Sequence, residues 1–62
     1  MLETVTIMRE TIYMNADTGE CFETHAAAME EYRSGERIQV LYRYKSEEND
    51  WSKWNYGPIW EH

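Results

Sequence analysis

The chain has 62 residues, and its twelve acidic and six basic side chains give a net charge of −6. A chain of this size buries only about 60% of the surface that its unfolded form exposes, so we expect a single domain over residues 1–62 with little room for a catalytic cleft. Direct binding to a nucleic-acid backbone is disfavoured, because it depends on clustered Lys and Arg that neutralise phosphates.

The first predicted element is a β-strand over residues 3–15, ETVTIMRETIYMN, which is rich in β-branched and aromatic residues and lacks Gly and Pro. Its alternation is broken, because Val5 and Ile7 share one face while the apolar residues after Glu10 share the other. A β-bulge near Arg9–Glu10 would reconcile the two halves, and so would a sheet covered on both faces at one end. We favour the bulge.

A turn and a short strand follow. In the turn NADTG, residues 15–19, Asn and Asp side chains can bond to nearby backbone N–H groups, and Gly19 supplies a positive φ. The segment ECFE, residues 20–23, is the predicted second strand, with Phe22 as its anchor.

The segment HAAAMEEYR, residues 25–33, is the predicted helix. Thr24 is the expected N-cap, and Gly35 lies where a left-handed residue ends many helices. Glu30 and Glu31 are expected to face away from the sheet. The buried stripe is formed by the positions at helical spacing, which are His25, Ala28, Met29 and Tyr32.

The segment ERIQVLYRYK, residues 36–45, is the clearest strand, with one apolar face and one mainly basic face. A turn at residues 46–50, SEEND, leads to a fourth strand at residues 51–56, WSKWNY, which pairs back on the third. We expect Gly57–Pro58 to break this strand and the tail at residues 59–62 to fold back onto the sheet.

These elements predict an α+β protein with a ββαββ order, in which two hairpins are joined by one helix that packs on one face of an antiparallel sheet. One helix cannot cover four strands and nine aromatic rings. Some aromatic surface near the fourth strand and the tail should therefore stay open, or be closed by a second copy in a homodimer.

The one cysteine, Cys21, excludes an internal disulfide and is expected to be a small buried thiol. Cys21 and His25 with His62 fall short of the four ligands of structural zinc, so carboxylates or a second chain would have to complete the shell. Cys21 and His25 also lack an orienting third group and a Gly-rich oxyanion loop. We expect no metal, no cofactor and no enzymatic activity.

No segment approaches the roughly 20 apolar residues that span a bilayer. The first ten residues, MLETVTIMRE, lack the basic start and the apolar run of a secretion signal. The expectation is a soluble, cytoplasmic protein that does not bind membranes.

The charge is concentrated in residues 1–31, where seven acidic residues stand against Arg9 alone. We expect this half to be attracted to a basic protein surface and the C-terminal rings to provide affinity. The candidate steering residues are Glu20, Glu23, Glu30 and Glu31. The candidate anchors are Trp51, Trp54 and Trp60.

Residues 13–32, YMNADTGECFETHAAAMEEY, resemble a hairpin-plus-helix pattern of small phage-encoded proteins. Thr18 is a departure, because it separates Asp17 from Gly19. The acidic, Tyr- and Trp-rich composition is similar in style to phage accessory proteins that block host defence, such as anti-CRISPR and anti-restriction inhibitors. The resemblance implies an inhibitor that works in the host cytoplasm. The positions that carry the pattern are Asp17, Gly19, Phe22, Thr24, Ala28 and Glu31.

The leading hypothesis is a non-catalytic protein that binds and occludes a partner with a basic surface, as a mimic of DNA would. The alternative is a module whose C-terminal rings hold a nucleotide-like molecule or a sugar between subunits of a small oligomer. A third reading is a structural part of a larger assembly.

Overall fold

The computed structural model describes residues 7–62, which form four strands and one helix. The strands make one antiparallel sheet of order β2-β1-β3-β4. The predicted α+β class and the ββαββ order are confirmed. The first part of the predicted first strand, residues 3–6 with Val5, lies outside the described residues. The bounds are β1 Ile7–Asn15, β2 Cys21–Phe22, α1 His25–Arg33, β3 Ile38–Ser46 and β4 Asn55–Trp60.

The long pair of β1 and β3 forms the centre of the sheet. The two strands pair in one unbroken register over all nine residues of each, so the predicted bulge at Arg9–Glu10 is wrong. Apolar residues occupy both faces of β1 because the sheet is buried on both sides near its middle. Val40, on the helix side, is 7% exposed, and Leu41, on the opposite side, is 9% exposed.

Asn15 ties the first turn to the helix and to the start of β3. Its Oδ1 accepts from the backbone N–H groups of Asp17 at 2.8 Å and Thr18 at 3.1 Å. Its Nδ2 lies 3.3 Å from a carboxylate oxygen of Glu31 and 3.3 Å from one of Glu36. The side chain is almost fully buried, and these bonds satisfy both its oxygen and its nitrogen.

The rest of the first turn is stabilised by a residue outside the turn, Arg37. Asp17, predicted to bond its own backbone, instead accepts from Arg37 at 2.6 Å, and this hydrogen bond lowers the pKa of Asp17 below its ordinary value. Gly19 has a φ of 80°, the left-handed conformation that the sequence predicts there.

The helix has the predicted bounds because its end signals are local. Thr24 Oγ1 accepts from the N–H of Ala27 at 3.2 Å, and Gly35 has a φ of 103° just beyond the last turn. Ala28 is fully buried against the sheet. Met29 and Tyr32 are half-buried, as expected of the stripe.

Three burial predictions in this region are wrong. His25 is exposed at the helix start, where its ring makes T-shaped contacts with the rings of Tyr13 and Trp60. Glu31, expected to face away, is half-buried because it accepts from Asn15. Cys21 is exposed because β2 is a two-residue edge strand and the cysteine lies on its helix-free side.

The fourth strand lies four residues later than predicted. Gly57–Pro58 does not break β4 but lies inside it, at a register shift opposite the segment between Gln39 and Leu41. A proline is tolerated there because β4 is an edge strand and the site is a bulge. The side-chain amide of Gln39 donates to the backbone carbonyls of Gly57 and Val40, each at 2.9 Å, and so satisfies the disrupted ladder.

The tail contacts the helix rather than folding over the sheet as a separate segment. Trp60, the last residue of β4, lies 5.8 Å from the ring of Tyr32. The Tyr32 hydroxyl donates to the backbone carbonyl of Glu61 at 2.9 Å, and the Tyr32 ring stacks on His62 at 4.3 Å. These contacts fasten the end of the chain to α1.

The helix covers only part of the sheet. Its nine residues span about 14 Å, whereas nine-residue strands span about 30 Å. Beyond the helix, Ile7 is 64% exposed and Tyr44 is 40% exposed. The apolar side chains buried within residues 7–62 are Ala28, Ile38, Val40 and Leu41.

Replacing Asn15 tests its role as the central polar link. Asn15→Ala should reduce the free energy of unfolding by about 2–3 kcal/mol, because the turn N–H groups lose their acceptor. Asn15→Asp keeps the acceptor but adds a carboxylate beside Glu31 and Glu36. The ionised form of this new carboxyl group is therefore disfavoured in the folded state. The loss of unfolding free energy of Asn15→Asp relative to wild type should shrink as pH falls from about 7 to about 4. Urea denaturation monitored by circular dichroism measures the unfolding free energy of both variants. A loss for Asn15→Asp that stays the same at every pH would contradict the role of Asn15 as the central polar link.

Candidate functional site

One face of the sheet carries no helix. Asn15, bonded to Glu31, marks the helix side of β1, and residues opposite each other in the pairing share a face. The other face, here called the helix-free face, is built by alternate residues of the three long strands. Its members are Met8, Glu10, Ile12, Met14, Gln39, Leu41, Arg43, Lys45, Tyr56 and Ile59.

Arg43 is the centre of this face. Its guanidinium carbon lies 4.6 Å from the ring centre of Trp51 and 4.5 Å from that of Trp54. Its Nε and Nη2 both donate to one oxygen of Glu10, Oε2, at 3.2 and 2.9 Å across the β1–β3 pair. The side chain of Arg43 is 27% exposed, so these contacts are partly shielded from water. Arg43, Glu10, Trp51 and Trp54 are called the arginine clamp below.

The loop between β3 and β4, residues 47–54, is held so that its tryptophans reach the clamp. Ser52 donates its backbone N–H to the carbonyl of Tyr44 at 2.7 Å, and the N–H of Tyr44 donates to Ser52 Oγ at 3.0 Å. Ser52 thus pairs with β3 much as a strand residue would. Trp51 and Trp54, on either side of Ser52, are thereby held over Arg43.

Around the clamp the helix-free face exposes large apolar side chains. Tyr56 is 76% exposed, Met8 55%, Ile59 40% and Trp54 37%. Single exposed apolar residues are ordinary, whereas several on one face mark an interaction surface. Tyr and Trp are also the residues that most often provide binding energy in such surfaces.

The predicted steering residues do not all lie in the same setting. Glu20 and Glu23 flank β2 and are exposed, and Glu30 is exposed on α1. Glu31 is half-buried and bonded to Asn15. The three exposed acids therefore stand at the β2–α1 end of the molecule.

The predicted anchors are divided between the two faces. Trp51 and Trp54 belong to the helix-free face through Arg43. Trp60 lies on the helix side, where its ring centre is 5.5 Å from that of Tyr13 and 5.8 Å from that of Tyr32. Trp60 is half-buried and forms part of the helix–sheet packing.

The mainly basic face that the sequence predicts for the third strand contains Arg43, whereas Tyr56 and Met8 were missed as members of this surface. The alternation of β3 already put Leu41 and Arg43 on one face, which was a usable signal. Tyr56 was missed because the predicted fourth strand ended at that residue, so its partner Leu41 could not be identified.

Neither a metal-binding cluster nor a membrane-spanning helix is present in the described residues. Across residues 7–62, no three His, Cys, Asp or Glu side chains come together in a way that could hold a metal ion. In the same part of the chain, no helix has the length and apolar character needed to cross a membrane.

Comparisons with protein-family models, with curated proteins and with solved structures find no match to this chain.

The arginine clamp should depend on the planar guanidinium. Arg43→Lys removes the stacking over both rings, and we expect a loss of about 1 kcal/mol of unfolding free energy with a shift in tryptophan emission. Lys45→Gln is the matched control, because Lys45 Nζ lies 6.0 Å from the centre of the Trp51 ring and makes the weaker contact. Equal effects of the two substitutions on emission and stability would contradict the clamp.

Proposed function

We propose that the chain is a small non-catalytic binding protein that docks its helix-free face on a partner protein and occludes that partner's surface. The observation that carries this proposal is the exposure of Tyr56, Met8 and Ile59 on one face beside a preformed arginine clamp. Rings already fixed in place lose little freedom on binding, which favours affinity. Occlusion needs no catalytic group.

The arginine clamp favours a protein partner over a stacked small molecule. A base or a sugar would stack on a face of Trp51 or Trp54, and Arg43 already covers one face of each ring. The exposed ring of Tyr56, by contrast, has no aromatic or cationic partner within the described residues. Its hydroxyl and flat surface suit a pocket on a protein.

The charge distribution supports a basic partner. Arg37 is bound to Asp17 and Arg43 to Glu10, while Arg9 lies 5.0 Å from the ring centre of Tyr42. Several acidic side chains remain exposed, and the net charge is −6. Such a surface attracts a basic protein from a distance and repels nucleic acid.

The proposed partner class is a protein whose basic surface normally holds nucleic acid, including proteins of host defence. The acidic, Tyr- and Trp-rich composition, which is similar in style to phage accessory proteins that block host defence, supports this class. In this proposal the chain works in the host cytoplasm and competes with nucleic acid for the same surface.

A second candidate function has one observation in its favour. A groove of about 410 Å³ lies beyond the helix, lined by Ile7, Tyr44 and the start of the β3–β4 loop. Its size is within the range of small-molecule sites. Quenching of tryptophan emission by nucleotides or oligosaccharides, with Trp51 nearby on the same loop, would favour this candidate over the occluding protein.

Tyr56 should dominate the binding energy. A tagged protein is used to capture partners from the native host, and the retained proteins are identified by mass spectrometry. Tyr56→Ala should weaken the captured complex by about 2 kcal/mol, or roughly 30-fold, without loss of folding. Tyr44→Ala, which removes an exposed tyrosine from the other face, is the matched control. A partner retained equally by both variants would exclude the helix-free face.

The acids near β2 should accelerate association. Three substitutions to Gln remove this charge, at Glu20, Glu23 and Glu30. The matched control neutralises three exposed acids of the β3–β4 loop, Glu47, Glu48 and Asp50. Surface plasmon resonance on the captured partner should show an association rate about tenfold lower at low salt, with a weaker salt dependence, for the first variant only. An unchanged rate would exclude steering by these residues.

A further inference from the structure

Most of one edge of β1 is not paired in the described part of the chain. β2 pairs with β1 only at Tyr13 and Met14. No other strand within residues 7–62 lies along that edge, so the segment Ile7–Ile12 presents it openly. An unpaired edge of this length is a template for another extended chain.

The direction of the backbone groups on this edge follows from Asn15. The N–H of Asn15 donates to the carbonyl of Glu20 at 2.7 Å, and the carbonyl of Asn15 accepts from Gly19 at 2.9 Å, so both groups point toward the β2 side. Backbone direction alternates along an antiparallel strand. Ile7, Arg9 and Thr11 therefore turn their N–H and C=O groups outward, where an added strand could bond to all six groups.

The other outer edge of the sheet differs. β4 contains Pro58, which has no N–H, and a register shift at the same place. Proline and bulges are two of the devices by which proteins prevent pairing at an edge. The open part of β1 contains neither of them.

A cleft of about 320 Å³ lies where β2 would continue along β1. It is lined by Glu10, Thr11, Ile12 and Glu23, so its charged groups are both acidic. Glu10 accepts both bonds from Arg43 on Oε2, which leaves Oε1 directed to no hydrogen-bond donor within residues 7–62. A basic side chain in this cleft would meet the carboxylate of Glu23 and the free Oε1 of Glu10, whose Oε2 is paired with Arg43.

We infer that the open edge of β1 binds an extended, basic segment of a partner protein, which adds as an antiparallel strand beside Ile7–Ile12. Lys or Arg residues at alternate positions lie on the helix-free side. Their aliphatic stems pack on Met8 and Ile12, and their charges meet Glu10 and Glu23. This inference rests on the proposed function, because the segment belongs to the occluded partner and continues the same face.

A second copy of the chain fits this edge less well. In a symmetric antiparallel pair, the residue at the two-fold axis lies opposite itself. The two registers that use the open edge most fully place Arg9 opposite Arg9 or Glu10 opposite Glu10. Like charges directly opposite each other are destabilising, so the edge favours a chain with complementary charge.

The test uses isotope-labelled protein and a short capped peptide of alternating Lys and Val, observed by NMR. Amide shifts should map to Ile7–Ile12 and Glu23, and the amides of Arg9 and Thr11 should exchange about tenfold more slowly with the peptide present. The amides of Glu10 and Ile12 point toward β3 and should change less. A matched peptide of alternating Glu and Val should bind far more weakly. Equal binding of both peptides, or shifts elsewhere only, would overturn the inference.

Two variants sharpen the test. Thr11→Pro removes an outward N–H and no bond to β3, and peptide binding should fall at least about tenfold. Glu23→Lys should weaken the basic peptide by about three- to tenfold, whereas Glu61→Lys, just after β4 at the other side of the sheet, should not. If Thr11→Pro fails to fold, a peptide N-methylated at the residues whose N–H groups would face β1 replaces it. Undiminished binding of that peptide would contradict strand addition.

The outcome is separable from the proposed function. Tyr56→Ala should leave binding of the basic peptide unchanged, because Tyr56 lies on β4 at the other side of the sheet. If the peptide fails to bind while Tyr56→Ala still weakens the captured complex, the edge inference is overturned and the proposed function stands. If the peptide binds and Tyr56→Ala leaves partner capture intact, docking through the helix-free face is overturned, and strand addition at the edge of β1 stands.

Discussion

The mismatch in length between α1 and the central strands governs the rest of the molecule. A helix of nine residues spans about 14 Å and can cover less than half of a strand pair of about 30 Å. Only the end of the sheet near Asn15 therefore has a packed core on the helix side. Elsewhere the strands are held by backbone pairing and by side chains that remain partly exposed.

The aromatic residues are divided according to this limit. On the helix side, Trp60 and Tyr32 close the covered end and fasten the tail. On the helix-free side, Trp51 and Trp54 pack on Arg43, so a cation takes the place that an apolar core residue would have in a larger domain. The same rings thus stabilise the fold and form a surface, and the two roles cannot be assigned from composition alone.

Local signals in the sequence predicted the elements with local causes. The helix bounds followed from Thr24 and Gly35, and the first turn followed from Asn15 and Gly19. The position of β4 could not be predicted, because Gly57–Pro58 normally ends a strand and only the edge position with a bulge allows it to continue. The burial of Glu31 could not be predicted either, because it depends on a hydrogen-bond donor, Asn15, sixteen positions away.

The candidate site was predictable only in part. The alternation of β3 placed Leu41 and Arg43 on one face, and the richness of the C-terminal segment in rings pointed to the right region. The contact of Arg43 with Trp51 and Trp54 required the register of the β3–β4 hairpin and its loop, which residue spacing does not encode. The open edge of β1 depended on β2 being only two residues long, and nothing in the ECFE segment fixes that length.

The unequal margins of the sheet also limit how far an assembly built on it can grow. With Pro58 and the irregular register on one side and a receptive strand on the other, each molecule can take up one extra strand and offer none in return. Strand addition as proposed here would therefore end after a single step, instead of propagating from molecule to molecule into a filament.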